Sequence, residues 1–200
     1  MLSVICPIYN EAKYIDVCVQ SILLQDYPKQ QLEVLFVDGM SKDGTRDIVN
    51  NYSKQYPFIR LLNNEKRIVP VAMNIGIKAS IGDIVMRLDA HAQYPPNYFS
   101  VLVKELVRLR ADNVGVACKT DVLNKTSKTL AIREVLSNRF GVGNSTLRLG
   151  VDKVIEVDTV PFGCWKKDVF NKYGFYDERL IRNQDIELNK RIVRGGGHIF

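Results

Sequence analysis

A chain of 200 residues with 46% hydrophobic and 25% charged side chains has the composition of an ordinary globular protein and enough apolar material for a real core. No run approaches the ~18 apolar residues needed to cross a bilayer, and the composition is not that of a disordered tract. The net charge of +6 and pI near 9.1 suit an anionic partner, such as a nucleotide diphosphate, an acidic membrane face or nucleic acid.

Cys6, Cys18, Cys118 and Cys164 are widely spaced, with no C-x-x-C pair. They read as reduced thiols of a reducing compartment, not as a disulfide framework. Met1 leads directly into Leu2-Ser3-Val4-Ile5-Cys6 without a basic stretch and long apolar core, so no signal peptide is expected. The sequons Asn124-Lys125-Thr126 and Asn144-Ser145-Thr146 are then accidental.

In chain order, Leu2–Ile8 reads as a strand, and Ile15, Val19, Ile22 and Leu23 fall on one face of a helix that Asp26-Tyr27-Pro28 breaks. Leu32–Val37 is a second buried strand, followed by a helix from about Thr45 to Tyr56 and a short strand, Ile59–Leu62. Pro70 suits the first turn of a helix reaching Ala79. A fourth strand covers Ile84–Leu88, and Pro95-Pro96 opens a helix carrying Val101, Leu102, Leu106, Val107 and Leu109. After Gly115–Cys118 the pattern loosens, with a helix from about Ser127 to Asn138, a strand over Val154–Val157, and helices near Lys166–Lys172 and Asp185–Val193. Gly195-Gly196-Gly197 leads into His198-Ile199-Phe200, which reads as the start of another strand, and the chain is expected to be a fragment of a longer protein. Alternating strands and helices with near-continuous apolar strands imply an α/β fold, a mostly parallel sheet with helices on both faces. No linker divides the chain, so residues 1–200 form one expected domain, with a nucleotide-binding half (1–118) and an acceptor-side half (119–200).

Ligands of such sheets bind where the strands end, and Asn10, Glu11, Asp38, Asp89 and His91 all sit at those ends. Asp89-Ala90-His91 follows Ile84–Leu88 and offers a hard oxygen with an imidazole nitrogen, a ligand pair for Mn²⁺ or Mg²⁺ that leaves the remaining shell to water and phosphate. Cys6-Pro7-Ile8-Tyr9-Asn10-Glu11 ends in a polar turn whose backbone groups can meet a base or ribose and whose Glu11 can accept from a hydroxyl; alternatively Asn10 and Glu11 cap the next helix. Asp38 can accept from a ribose hydroxyl or a uracil N–H, while Asp43 and Gly44 suit a turn and cap. Arg67, before the Pro70 helix, suits a diphosphate. Asp185, in Gln184-Asp185-Ile186-Glu187, either favours the helix macrodipole or acts as a general base. Glu187, two residues on, faces another side of the helix. Trp165 is a sugar-stacking ring or core.

Five ordered motifs carry a resemblance: Pro7-Ile8-Tyr9-Asn10-Glu11, Val37-Asp38-Gly39-Met40-Ser41-Lys42-Asp43-Gly44-Thr45, Leu88-Asp89-Ala90-His91, Gly174-Phe175-Tyr176-Asp177-Glu178 and Gln184-Asp185-Ile186-Glu187-Leu188. Together they resemble glycosyltransferase family 2 over residues 2–197. The resemblance implies a GT-A fold and an inverting, metal-dependent hexosyltransferase working on a nucleotide-diphosphate sugar, commonly UDP-linked, with a saccharide or lipid-linked acceptor and no nucleic acid partner. It implies Pro7, Tyr9, Glu11, Asp38, Arg67 and Asp89 around the donor, Asp89 and His91 on a divalent cation (Mn²⁺ or Mg²⁺), Asp185 as base, and Trp165 and Gln184 by the acceptor. The sequence departs from the family twice: His91 replaces the last acid of D-x-D, and Gln184-Asp185 replaces an acid pair. Arg87-Leu88-Asp89-Ala90-His91-Ala92 looks like the subgroup that makes bacterial exopolysaccharides such as succinoglycan. Members of that subgroup often continue into membrane segments, so a place in the cytoplasm at the inner face of the plasma membrane is expected. The rival readings are a nucleotidyltransferase, a dehydrogenase or a noncatalytic module; the glycine-rich turn after the first strand that the first two need is missing.

Overall fold

A computed structural model describes residues 1–117, 120–122, 124–143, 149 and 153–200. Cys118 and the sequon at Asn144 lie outside the described residues. The strands are β1 (Leu2–Ile8), β2 (Leu32–Asp38), β3 (Ile59–Asn63), β4 (Ile84–Arg87), β5 (Asn113–Val114) and β6 (Cys164–Lys166). The helices are α1 (Ile15–Leu23), α2 (Thr45–Gln55), α3 (Val69–Ala79), α4 (Tyr98–Arg108), α5 (Ser127–Ser137), α6 (Arg139–Val142), α7 (Asp168–Tyr173) and α8 (Gln184–Arg194). One sheet runs β3-β2-β1-β4-β6-β5. Its first four strands are parallel, and β6 lies antiparallel between β4 and β5.

Both faces of the sheet are covered, which is why its strands are apolar throughout. The two-residue alternation of a strand sends Val4, Cys6 and Ile8 to one face and Ile5 to the other. Val4, Cys6 and Ile8 join α1 and α4 through Ile15, Val19, Phe99 and Leu102. Ile5 joins Met73 and Ile77 of α3, Val169 and Phe170 of α7, and Leu188 and Ile192 of α8. Cys6, Cys18 and Cys164 are buried and free of disulfides.

From β1 the chain steps outward to β2 and β3, then returns through α3 to form β4 on β1's other side. The reversal opens a crevice where β1 and β4 end. Pairing between them stops at Ile5 and Arg87, and Leu88 N–H donates to the Ile5 carbonyl at 2.9 Å. Pro7 lies two residues past Ile5 on that same side, so its missing N–H faces the gap left as β4 departs and no ladder bond is lost.

The expected strand over Val154–Val157 does not form; Val157 N–H donates to the Ile199 carbonyl at 2.9 Å, and Glu156 Oε1 meets His198 Nδ1 at 2.6 Å. The strand lies later, at Cys164–Lys166, and α7 begins only at Asp168. Pro95 and Pro96 precede α4 without entering it, since α4 begins at Tyr98. Ile199 makes a single parallel bridge to Asn113. No helix among the described residues is long and apolar enough to cross a membrane.

Candidate active site

The crevice is organised by an arginine that ends a buried strand. Arg87 is the last residue of β4, and its side chain is 7% exposed. Nη1 donates to both oxygens of Asp185, at 2.7 and 2.8 Å, and Nη2 donates to Asp89 Oδ1 at 3.3 Å. Burial pulls the guanidinium down, but Asp185 and Asp89 more than reverse this, so the group sits above its ordinary value. Tyr176 Oη adds a second donor to Asp185 at 3.2 Å; burial and the Asp185 charge raise that phenol and keep its proton in place. The sequence reading passed over Arg87, although the signal was present: a charge inside Ile-Val-Met-Arg-Leu must find a buried partner.

Beyond β4 the backbone of Asp89 is clamped by Tyr94, whose Oη accepts from Asp89 N–H at 2.8 Å and donates to its carbonyl at 3.0 Å. The clamp leaves both carboxylate oxygens free of the loop. His91, with a side chain 60% exposed, stands between two acids. Its Nδ1 lies 3.3 Å from Glu11 Oε1 and its Nε2 lies 4.0 Å from Asp89 Oδ2. Two donors on one ion with bonds of ~2.1 Å stand at most ~4.2 Å apart, so Asp89 Oδ2 and His91 Nε2 fit one divalent cation, and the mixed oxygen and nitrogen set suits Mn²⁺. Glu11 on the far ring nitrogen is the usual partner that fixes a ligating imidazole. Among the described residues no group of three or more acids, histidines or cysteines stands ready to enclose an ion. The rest of the shell would therefore come from water and ligand.

The loops after β1 and β2 are laced together. Asn10 N–H donates to Ser41 Oγ, Glu11 N–H to Thr45 Oγ1 and Ala12 N–H to Asp43 Oδ2, at 2.8, 2.8 and 3.0 Å. These amides, expected to meet a base or ribose, are already satisfied. The Glu11 side chain caps nothing and reaches His91 instead. Asp43 behaves as a turn residue, accepting from Thr45 N–H at 3.1 Å. Asp38, at the end of β2, has a side chain that is 0% exposed and is held by Ser41 Oγ and Arg46 Nη1, both at 2.5 Å. A carboxylate so held anchors the β2 loop. Tyr9 is 48% exposed and lies against Gly39, where an added Cβ would stand 3.1 Å from its ring, so that glycine lets the ring lie flat beside the crevice. Arg67 is exposed on the β3–α3 loop.

Asn10, Met40, Arg67, Phe162 and Asn183 hold positive φ without being glycine. Arg110, after α4, does so as well; of these residues, Phe162 packs against Arg87 and Asn183 precedes α8, next to the Asp185 cluster.

Trp165, expected beside a sugar, lies in the core instead. It is 1% exposed, and its ring packs edge-on against Tyr176 and tilted on Phe170. No face remains for a sugar; Trp165 supports Tyr176 from below. Gln184 opens α8 but is only 8% exposed, leaving little surface for an acceptor. Glu187, the rival acid, is taken by Arg191 at 2.6 Å one turn along α8, so Asp185 alone of the two faces the crevice cluster.

Solved structures share this architecture. A mannosyltransferase of Pyrobaculum calidifontis, in complex with GDP-Man and Mn2+, superposes with a TM-score of 0.74 at 22% identity, over 100% of this chain and 53% of its own. TarS of S. aureus in complex with UDP-GlcNAc gives 0.72 at 18% identity, over 100% and 55%. Likeness at that identity establishes the fold, which is GT-A. Among curated proteins, a dolichyl N-acetyl-alpha-D-glucosaminyl phosphate 3-beta-D-2,3-diacetamido-2,3-dideoxy-beta-D-glucuronosyltransferase of Methanococcus voltae is 28% identical over 100% of this chain and 63% of its own length. The succinoglycan biosynthesis protein ExoA of Rhizobium meliloti is 30% identical over 98% and 59%. The chain thus spans about three fifths of the length of these relatives. The model of the family described as Glycosyl transferase family 2 matches residues 3–174, most of the crevice included, and the chain belongs to that family.

Proposed function

We propose that this chain is the catalytic part of an inverting, cation-dependent transferase that moves a sugar from a nucleotide-diphosphate sugar, UDP-linked, to a saccharide or lipid-linked acceptor in polysaccharide assembly. The observation that carries the reading is the joining of Asp185 to Asp89 through one guanidinium, which puts a proton acceptor beside a cation ligand in a single crevice. The structural neighbours bound to UDP-GlcNAc and to GDP-Man with Mn2+, and the relatives in glycan assembly, support the same reading.

Asp89 and His91 would hold the cation, and a cation bound there neutralises the charge that grows on the diphosphate as the anomeric bond breaks. Tyr9 offers a ring to the base, and Arg67 brings a guanidinium to the phosphates. Asp185, fixed by Arg87 and Tyr176, takes the proton of the acceptor hydroxyl as that oxygen attacks from the side away from the diphosphate, so configuration inverts. Holding donor and acceptor together supplies much of the remaining acceleration. Asp38 acts at one remove, by keeping the β2 loop in place.

A thermal-shift panel of UDP, GDP and dTDP, each with Mn²⁺, Mg²⁺ or chelator, tests the reading. UDP with Mn²⁺ should raise the melting temperature most, because a ligand selective for the native state stabilises it by mass action. The absence of any shift with all three nucleotides, with and without metal, would remove the reading.

A further inference from the structure

We infer that Arg87 is the positioning residue that keeps the base and the cation ligand apart and in register, so that Asp185 serves as a proton acceptor and not as a third ligand of the cation. The inference rests on the transferase reading above.

A buried guanidinium with a purely structural task normally satisfies all its donors. Arg87 does not: its Nε is buried with no hydrogen-bond partner, while its fork is spent on two carboxylates, from the β4 exit and from α8, 98 residues along the chain. The ring of Phe162, itself held at φ 57°, lies 5.4 Å from the guanidinium and supports it from the side. Met86, before it on β4, and Leu88, just past the strand end, are both 0% exposed, so the backbone that carries the side chain is held in the core on either side.

The consequence for the two acids is specific. Arg87 occupies Asp89 Oδ1 and leaves Oδ2 facing His91 Nε2, which selects the oxygen presented to a cation. At the same time Nη1 meets both Asp185 oxygens and holds that carboxylate on the opposite side of the fork. Two carboxylates in one cavity with a divalent ion would otherwise both turn toward it. A lysine carries the same charge but presents a point, not a planar fork, and cannot serve two acids at fixed separation.

The test compares Arg87→Lys and Arg87→Met with the unaltered chain. Affinity for UDP with Mn²⁺ is measured by calorimetry, turnover as UDP release from UDP-glucose and UDP-N-acetylglucosamine, and fold by melting temperature. Arg87→Lys should remain folded and lose at least thirtyfold in kcat, while donor KM and the affinity for UDP with Mn²⁺ fall by much less than kcat. A kcat within threefold of the parent overturns the inference, as does an affinity that falls in step with kcat, since Arg87 would then be a donor-binding or scaffolding group. A crystal structure of Arg87→Met with UDP and Mn²⁺ decides the point without turnover: Asp185 should have left its place or joined the cation, and Asp185 unmoved refutes the inference. If the unaltered chain releases no UDP from any donor, the transferase reading fails while this structural readout still judges Arg87.

Discussion

Asp185 is gripped from two directions, by the Arg87 fork and by the Tyr176 hydroxyl, yet 23% of its side chain still faces solvent. That remaining surface is where an acceptor hydroxyl can approach. Replacing Asp185 with Asn keeps the volume and removes the basicity, so turnover should drop by ~10²–10⁴-fold, the usual share of a general base. The amide also brings donors against a donor-only guanidinium, so UDP and Mn²⁺ affinity is measured in the same preparation. It should stay within a few-fold, and unchanged turnover would take Asp185 out of the mechanism. That Asp89, His91 and Asp185 lie at element ends was legible in the sequence, because strand exits and helix starts are readable from apolar periodicity. The enclosure of Asp38 and Trp165 was not. Motif position says where a residue sits along the chain, whereas enclosure by Arg46, or by Phe170 and Tyr176, depends on side chains that fold over it from elsewhere.

Among the elements, β1, β2, β3 and α3 agree with the sequence reading to within a residue because each carries enough apolar residues to show its period. β6 has three residues, too few to show any alternation, and it exists because the exposed edge of β4 needs a partner. Its placement is a tertiary decision, and Val154–Val157, the more strand-like stretch, loses to it. The contact between α3 and β1 was equally invisible. An added Cβ at Gly76 would stand 2.5 Å from Ile5 Cγ2, so a glycine inside a helix is what allows the helix to lie this close to the sheet. Gly76→Ala gains up to ~1 kcal/mol in helix propensity but meets a fully buried isoleucine, and overpacking costs ~1–3 kcal/mol. The net should be a loss of ~1 kcal/mol or more in urea unfolding. Combining it with Ile5→Ala should give less than the sum of the two losses, since both changes act on one gap. Additive losses would show that the contact is not the cause.

At the scale of the whole molecule, the expected boundary at residue 118 does not divide the fold. β5 lies before the boundary at residue 118, yet in the sheet it pairs with β6, from after it. The helical face built on Ile5, Leu35, Val37, Met73, Ile77 and Val85 is completed by Trp165, Phe170, Tyr176, Leu188, Ile192 and Ile199. Residues 1–118 alone would thus expose half of one core cluster and the unpaired edge of β4, a surface that neither remains soluble nor holds Arg87 in register. We predict that the intact chain unfolds in one cooperative transition, observed identically by far-UV circular dichroism and tryptophan fluorescence from Trp165. A 1–118 fragment should instead bind a hydrophobic dye, show no cooperative melt and fail to respond to UDP with Mn²⁺. A dispersed NMR spectrum from that fragment would mean that the parallel strands with α1–α4 form a self-sufficient unit. The crevice would then be assembled by docking two folded pieces, and the arginine fork would lie at their interface instead of inside one core.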